Sequence, residues 1–264
     1  MKLTPDVHTE VLYNDPEHKY YLGDIIYRSA TQIVEQFVNE FDTEERAEYM
    51  VYRYGKTADY WKAKWKEENS ISLSRGTLLH NEREDYLHNR GFDTINNTHF
   101  RVYNLNAPNA PRYHQTPGGY FNLPDGTYPE LKLWRHDWHI AGRVDKPTIE
   151  TLSGTRYMHI DDYKTNKALD DQSYYEHRTG KFRMMLGPLS HLMDCNKEHY
   201  TLQLSIYQYM AEYFGFEPGT RRIIHYPHAI PELGTPPPRI YELPYYREEV
   251  IAMLKHLKLH RWLN

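Results

Sequence analysis

The chain is nearly free of cysteine, since Cys195 is the only one among its 264 residues. One thiol can form neither an internal disulfide nor a four-cysteine site for zinc or an iron–sulfur cluster. Long apolar runs are also missing: no segment approaches the ~20 residues of a membrane span, and the start MKLTPDVHTE has no signal-peptide core. These absences predict an intracellular, cytoplasmic protein without a membrane partner and without an iron–sulfur cluster.

A strong charge of one sign is absent as well. Lys and Arg number 32 against 36 Asp and Glu, a formal net charge of -4, which at first argues against a nucleic-acid partner. The imbalance is local, because residues 1–70 hold 14 acidic and 9 basic residues, whereas residues 71–264 hold 22 and 23. If two or three acids of the second part bind a metal ion, the remaining surface there is mildly basic. The charge therefore permits a nucleic-acid partner but does not indicate one.

The remaining composition is that of a folded protein. Hydrophobic residues make up 39% and charged residues 26% of the chain, and its length is enough to bury a full core. The 25 tyrosines could stack on nucleic-acid bases, although most tyrosines in proteins lie at core edges. Since the sequence has neither an internal repeat nor a low-complexity tract, we expect one domain over residues 1–264.

Periodicity and end signals predict helices first, then a meander of strands, then helix, strand and helix. In the first part we expect a hairpin and a helix opening near Ser29 or Thr31 in YYLGDIIYRSATQIVEQF, a second helix in TEERAEYMVYRYGKTADYWKAKWKEE, and a third in SLSRGTLLHNEREDYLHNRG, with serine caps and Gly91 at its end. Loops are expected at 102–128 and 231–238. The later strands are expected in ELKLWR, HIAGRVDKPTIE, RYMHIDDYKT and RRIIHYPH, and the later helices in HYTLQLSIYQYMAEYFG and REEVIAMLKHLKLHRWL. This order indicates an α/β protein with a helical N-terminal region over residues 1–70.

Two of the predicted helices carry candidate functional residues. On the third helix, His80 follows Gly76 by one turn, and Glu84 lies a further turn along the same face. On the long later helix, Gln203 and Tyr207 are four residues apart, beside its apolar stripe. Each pattern alone has a simpler explanation, since a lone helical histidine is more often packed or exposed than a ligand, and a polar pair can be a helix edge.

Two of the predicted strands end in charged residues. GRVD places Asp145 at a strand end, and DYKT places Asp162 and Lys164 two residues apart, which on a strand means the same face. Such a pair could be a surface ion pair, which stabilises little, and Asp145 could be a turn former. It is the joint occurrence of the helical and strand pieces, in this order, that is specific.

The combined set is typical of metal-dependent phosphodiester hydrolysis. Two carboxylates and an imidazole can hold Mg²⁺ or Mn²⁺, which prefer hard ligands and keep positions open for water and phosphate. Such an ion lowers the pKa of its bound water and neutralises charge that builds up on phosphorus. A lysine beside it can orient or help deprotonate the attacking water and stabilise the transition state.

The motifs GTLLH, GRVD, IDDYKT and QLSIY resemble, in order and residue type, those of the PD-(D/E)XK nuclease superfamily. The resemblance covers roughly residues 76–210 and is strongest to the RecB-like branch, which includes the lambda-type and mitochondrial genome maintenance exonucleases. It implies a restriction-endonuclease-like core, with a central mixed β-sheet flanked by helices, and makes residues 71–264 the catalytic core.

The resemblance also implies roles for single residues. Metal binding is implied for His80, Asp145, Asp162 and the main-chain carbonyl of Tyr163. Lys164 matches the catalytic lysine, and Gln203 and Tyr207 match a Gln-x-x-x-Tyr motif whose residues touch DNA phosphates and brace the active site. The implied cofactor is Mg²⁺ or Mn²⁺. Unlike some relatives, the chain has no four-cysteine cluster site and no Gly-x-x-x-x-Gly-Lys-[Ser/Thr] loop, so neither an iron–sulfur cluster nor ATP is expected.

The function expected from these observations is that of a metal-dependent deoxyribonuclease. The resemblance favours an exonuclease that acts on DNA with single-stranded ends and leaves a 5′-phosphate. A structure-dependent endonuclease and an inactive nucleic-acid-binding module are the alternatives, although intact His80, Asp145, Asp162 and Lys164 argue against the latter. Polarity, DNA against RNA preference, oligomeric state and any replication or recombination partner stay open, and the chain is compatible with a phage-encoded enzyme.

Weaker signals accompany these motifs. His136 and His139 have the spacing of zinc ligands but no cysteine partner. Trp61 and Trp65 could stack on a single strand or pack the helices. A phosphate-binding or merely solvated loop is indicated by Arg178, Lys181 and Arg183. Residues 1–70 could either arch over the site, so that a strand enters from a free end, or complete the core.

Overall fold

The computed structural model describes residues 5–14, 16–95, 97–105, 119–176, 180–228 and 236–259. Strands β1 to β14 are, in chain order, Leu12–Asn14, Lys19–Leu22, Ile25–Tyr27, Phe92–Ile95, Thr98–Arg101, Gly126–Thr127, Leu131–Arg135, Ile140–Val144, Lys146–Leu152, Thr155–Lys164, Tyr175–Glu176, Lys181–Phe182, Glu217–His225 and Arg239–Glu242. Helices α1 to α5 are Ala30–Glu35, Thr43–Tyr54, Ala58–Arg90, Asn196–Tyr213 and Arg247–Leu259. None of the helices within these ranges combines the length and the apolar character that a bilayer crossing requires.

A five-stranded sheet lies at the centre, in the order β14-β13-β10-β9-β6. β10 and β13 run parallel, and the other neighbours pair antiparallel. Helix α4 lies between β10 and β13 in the chain and packs on both, burying Leu202, Ile206 and Met210 of its predicted stripe. The predicted α/β class, with a central mixed sheet flanked by helices, is thereby confirmed.

Strands β7 and β8 form a separate antiparallel hairpin in which Leu131 pairs with Val144. HIAGRVDKPTIE was expected to be one strand of a single sheet, and this prediction is wrong. The chain leaves the hairpin and enters the central sheet at Asp145, between β8 and β9. Hydrophobic periodicity does not reveal such a change of pairing partner, because both halves are equally buried. The change places Asp145 at the junction of two sheets.

Helix α3 is one continuous helix of 33 residues, not the end of one helix followed by another. The serines expected to cap a new helix lie inside it, where Ser72 Oγ donates to the carbonyl four residues earlier at 2.8 Å. This local bonding satisfies the hydroxyl without ending the helix. The break falls earlier, at Gly55 (φ +70), and Thr57 caps α3. Gly91, with φ +72, ends α3 as predicted.

The first 42 residues contribute to the core before the long helices begin. β1, β2 and β3 form a three-stranded sheet, followed by α1. Ser29 caps α1 in a reciprocal capping box with Gln32, so the predicted hairpin and helix start are confirmed. Tyr27, Ile33 and Phe37 from this part are buried in the main hydrophobic cluster. The helical character of the N-terminal region therefore resides mainly in α2 and α3.

Some predicted segments extend beyond the described ranges. They include parts of the loops expected at 102–128 and 231–238 and the end of the last helix, whose described part is α5.

Candidate functional site

The predicted site residues meet at the carboxyl end of β10. The Tyr163 N–H of β10 donates to Asp145 Oδ2 at 2.9 Å, which ties the sheet junction to this strand. Helix α3 reaches the same point, where His80 Nε2 lies 3.1 Å from the Tyr163 carbonyl oxygen and Nδ1 lies 3.3 Å from Asp145 Oδ2. Three elements that are distant in sequence thus bring an imidazole, a carboxylate and a main-chain carbonyl together.

Glu130 joins this group, although the sequence analysis did not identify it. One ligand atom from each of His80, Glu130 and Asp145 lies within 4.8 Å of the others. The hairpin register explains the proximity: with Leu131 opposite Val144, the next residues outward are Glu130 and Asp145, and the Glu130 N–H donates to the Asp145 carbonyl at 3.1 Å. Counting residue pairs outward from the turn between β7 and β8 would have found Glu130 opposite Asp145.

Asp162 and Lys164 lie beside this group and contact each other. Asp162 Oδ2 is 2.5 Å from Lys164 Nζ, and the Asp162 side chain is only 1% exposed. No described residue donates a well-aligned hydrogen bond to this buried oxygen. Within the part of the chain described, Asp162 is not a member of the 4.8 Å group. The structure therefore brings His80, Asp145 and the Tyr163 carbonyl together and places Asp162 against Lys164.

The protonation of the site follows from burial and charge. Burial, and next the charge of Asp162, raise the pKa of Asp145 well above its ordinary range. Burial lowers the pKa of His80, which leaves a neutral imidazole with a free lone pair at pH 7. Burial alone would lower the pKa of Lys164, but Asp162 and Asp145 outweigh it and raise the pKa, so the side chain is an ammonium. Arg143, 3.4 Å from Glu130, and Lys164, 2.5 Å from Asp162, offset part of the carboxylate charge, and a bound cation would offset the rest.

The donor set fits Mg²⁺ or Mn²⁺. Carboxylate and carbonyl oxygens with one imidazole are the ligands that these ions accept, and no thiolate is near to favour a softer metal. His80 Nε2 lies 3.1 Å from the Tyr163 carbonyl oxygen, so a nitrogen and an oxygen donor are adjacent in the site. His80, Glu130, Asp145 and the Tyr163 carbonyl could therefore hold such an ion, with Asp162 beside them.

Gln203 and Tyr207 lie together on α4, but they differ in burial. Gln203 is partly exposed, and its amide donates to the Tyr207 hydroxyl at 3.2 Å. Tyr207 was expected to lie off the apolar stripe, yet it is buried. Its ring fills the space above Gly142 of β8, where an added Cβ would meet Tyr207 Cε1 at 2.7 Å. Tyr207 therefore braces the hairpin that carries Asp145.

A buried ionic network lies next to the site, on the other face of the central sheet. Lys146 Nζ lies 2.8 Å from Asp93 Oδ2 and 2.9 Å from Asp161 Oδ2. Asp161 also accepts two hydrogen bonds from the Arg222 guanidinium, at 2.7 and 2.8 Å. Lys146 and Asp161 are register partners on β9 and β10 and directly flank Asp145 and Asp162. The network thus joins four strands, β4, β9, β10 and β13, immediately behind the candidate metal ligands.

The site opens into a cleft of about 1500 Å³. One wall is a face of α3 that includes Trp65, Gly76 and His80, and residues 163–168 line the opposite side. The Trp65 ring packs edge-on against Phe41, with the two ring centroids 5.5 Å apart, and both line the cleft. Of the two tryptophans singled out from the sequence, Trp65 is thus placed for stacking.

The weaker sequence signals do not join the site. The Trp61 indole N–H donates a hydrogen bond to the Gly55 carbonyl at 3.0 Å. His136 is buried, with Nδ1 2.7 Å from the Tyr27 hydroxyl, and the described residues form no group of three metal ligands around it. Glu84 lies 3.6 Å from His88 rather than among the site donors. The exposed Lys181 and the half-buried Arg183, which lies 3.4 Å from Glu176, follow the cleft segment, and Arg178 lies outside the described residues.

Comparison with known proteins gives only weak structural similarity. No protein-family model and no curated protein matches the sequence. Among solved structures, the chain is similar to a protein provisionally named an exonuclease, from Eubacterium rectale, with 12% identity and a TM-score of 0.35. The match covers 89% of this chain and 79% of that one. A likeness this low identifies neither a family nor a reaction, and the assignment of function depends on the site itself.

Proposed function

We propose that the chain is a divalent-metal-dependent DNA nuclease, and that it acts as an exonuclease on DNA with single-stranded ends. The observation that carries the proposal is the convergence of His80, Glu130 and Asp145, with the Tyr163 carbonyl next to His80 and Lys164 in the same open cleft. Clustered carboxylates repel a phosphate unless a cation offsets their charge, so this arrangement suits phosphodiester chemistry only with a metal ion.

Each residue has a role in hydrolysis. His80, Glu130, Asp145 and the Tyr163 carbonyl would hold Mg²⁺ or Mn²⁺, with Asp162 beside them as a further carboxylate for the ion. Such an ion would supply an acidified water and neutralise charge on the phosphate. Lys164, held as an ammonium beside Asp162, orients the attacking water and stabilises the non-bridging oxygens. The water oxygen bonds to phosphorus, the bond to the 3′ oxygen breaks, and the phosphate stays on the 5′ end.

The cleft favours a single strand as the substrate. Trp65 and Phe41 offer aromatic surface on which unpaired bases can stack. The charged residues that line the cleft carry both signs, with Glu68 and Asp170 beside Lys167. Duplex DNA has a dense phosphate charge and is bound by strongly basic surfaces, which this cleft does not provide. Stacking is therefore the main attraction away from the metal site.

The test is cleavage of end-labelled single-stranded DNA in the presence of Mg²⁺ or Mn²⁺, with and without EDTA. We expect EDTA to abolish cleavage and added metal to restore it. Asp145→Ala and Asp162→Ala should each abolish turnover, because each removes a charged oxygen from a small site. Asp137→Asn serves as the matched control, since this exposed carboxylate pairs with Arg135 outside the cleft.

Two results would contradict the proposal. One is cleavage that continues undiminished in EDTA. The other is wild-type cleavage by Asp145→Ala or Asp162→Ala in a preparation whose unfolding midpoint shows that it is folded. Calorimetric titration with Mn²⁺ gives a second measurement, because the alanine variants should lose metal binding even where background nuclease obscures cleavage.

A further inference from the structure

Gly76 occupies the interior of α3, where glycine is the least favourable residue apart from proline. The usual reason for a glycine is a backbone angle that other residues avoid. Gly76 is not among the described glycines with positive φ, so its helical conformation is open to any residue. The backbone geometry therefore does not explain its presence.

Packing does not explain Gly76 either. A Cβ at this position would meet only Thr165 Oγ1, at 3.9 Å, which is an ordinary contact. Gly142 and Gly219 are different, because an added Cβ would come within 2.7 Å of Tyr207 and 2.5 Å of the Met158 carbonyl, respectively. Those two glycines are required by their neighbours. At Gly76, the described neighbours leave room for a Cβ, with Thr165 in ordinary contact.

That space is part of the cleft. Gly76 lines it one turn before His80, and Thr165 lies across from it. The cleft face of α3 runs through Trp65, Ser72 and Gly76 to His80, in steps that keep one side of a helix. At 1.5 Å per residue, Trp65 and His80 are ~22 Å apart along the axis. A side chain at position 76 would stand between the aromatic end of this face and the metal donors.

We infer that Gly76 is a specificity-determining residue that keeps α3 bare where the sugar–phosphate backbone of the substrate strand crosses it. Glycine permits the close approach of a ligand to the protein backbone that any Cβ would prevent. The strand runs along the cleft face of α3 from Trp65, passes over Gly76 and presents its phosphate beside His80. This inference rests on the proposed nuclease function and adds the path by which the strand reaches the metal.

The experiment compares Gly76→Ala and Gly76→Leu with Ser74→Ala. Ser74 lies on α3 outside the cleft lining, so its replacement improves helix propensity without entering the cleft. Gly76→Ala should raise Tm by roughly 2 °C, as a better helix former does in a protein of this size. It should also raise the Kd and KM for a single-stranded oligonucleotide on the order of 10-fold. Gly76→Leu should weaken binding further, while Mn²⁺ binding stays as in the wild type.

The outcomes separate this inference from the proposed function. If the wild type neither binds nor cleaves DNA, the proposed function is wrong. If the wild type cleaves and both Gly76 variants bind and cleave like it, only the inference is wrong. A fall in Tm for Gly76→Ala would make the glycine structural. An equal loss of affinity in Ser74→Ala would attribute the effect to helix stabilisation, and both results overturn the inference.

Discussion

At the scale of single residues, Glu130 shows how the backbone is adapted to the site. It adopts φ +57, a left-handed conformation that costs a non-glycine residue roughly 1–2 kcal/mol. Such strain persists where the surroundings hold it and is common at functional sites. Here the hydrogen bond from the Glu130 N–H to the Asp145 carbonyl holds it, and the carboxylate lies near His80. The strained backbone at Glu130 therefore places its carboxylate in the candidate ligand set.

Replacing Glu130 should separate the strain from the ligand role. Glu130→Gly removes both, so we expect stability to rise by up to about 1 kcal/mol and Mn²⁺ affinity to fall at least ~10-fold. Glu130→Gln keeps the size and the strain but loses the charge, so affinity should fall without a gain in stability. Urea unfolding and calorimetric Mn²⁺ titration measure the two effects. Wild-type Mn²⁺ affinity in both variants would show that Glu130 is not a ligand.

The contrast between Glu130 and Asp145 shows which site residues a sequence can reveal. Asp145, Asp162 and Lys164 sit in short motifs at strand ends, where residue type and spacing already indicate chemistry. Glu130 comes directly after a proline and belongs to no such motif. Its position in the site depends on the register of the β7–β8 hairpin. The burial of Tyr207 was also missed, because it depends on the absence of a side chain at Gly142 on another element.

At the scale of elements, the ionic network behind the site determines how the strands are held. Lys146 and Asp161 are opposite each other on β9 and β10, and Asp93 belongs to β4, which follows α3 directly. The elements that carry His80, Asp145 and Asp162 are thus linked through one buried ammonium. A register slip of one residue would move each carboxylate to the wrong face. It would also separate the buried charges, so the network penalises the slip.

Breaking this network should cost more than removing it. Lys146→Met leaves Asp93 buried without its partner, while Asp161 keeps Arg222, and we expect a loss of about 3–5 kcal/mol in unfolding free energy. Adding Asp93→Leu should recover most of that loss, because the unpaired buried carboxylate of Asp93 is removed. Denaturant titration of the two variants beside the wild type measures the difference. Additive losses in the double variant would mean that Lys146 and Asp93 are not coupled.

The boundaries of helices and strands were predicted correctly where a single residue determines them. They were missed where contacts between distant parts of the chain determine them. Ser29 and Gly91 mark the start of α1 and the end of α3, and both follow from side-chain chemistry alone. The continuity of α3 through its serines and the division of β8 from β9 were not predictable in this way. In the first case local hydroxyl bonds compete with capping, and in the second the pairing partners are distant in sequence.

At the scale of the whole molecule, the acidic excess of the N-terminal region does not lie in its long helices. The acidic excess of residues 1–70 lies entirely in residues 1–42, which hold 8 acidic and 3 basic residues, whereas residues 43–70 hold six of each. The first part helps to form the core, whereas α3 from Trp65 onward lines the cleft. Arg46 of α2 lies 5.3 Å from the Tyr174 ring, so α2 also contacts the segment that follows β10. Steric confinement, rather than repulsion, would therefore select the substrate.

A confined cleft predicts a requirement for a free end. We expect linear single-stranded DNA to be digested and a covalently closed circle of the same sequence to be spared. A time course on a strand labelled at one end only gives the polarity, from whether label appears at once as short products. Duplex DNA of the same length is the control for strandedness. Efficient cutting of the circle would contradict the exonuclease and favour a structure-dependent endonuclease.

The length of helix α3 and the position of its anchoring contacts affect how the cleft can move. Its 33 residues extend about 50 Å, and Leu87 is the only one that is buried. Arg75, which donates to the Pro227 carbonyl, and Arg83, which lies over Tyr226, fix the same half. The half of α3 that carries His80 is thus anchored to the rest of the fold, whereas its first half packs on α2 and Phe41. A movement of the helix N-terminal to Arg75 would displace Trp65, ~15 Å away along the axis, and leave His80 in place. The mouth of the cleft can widen or narrow around a passing strand while the coordination geometry at its floor hardly changes.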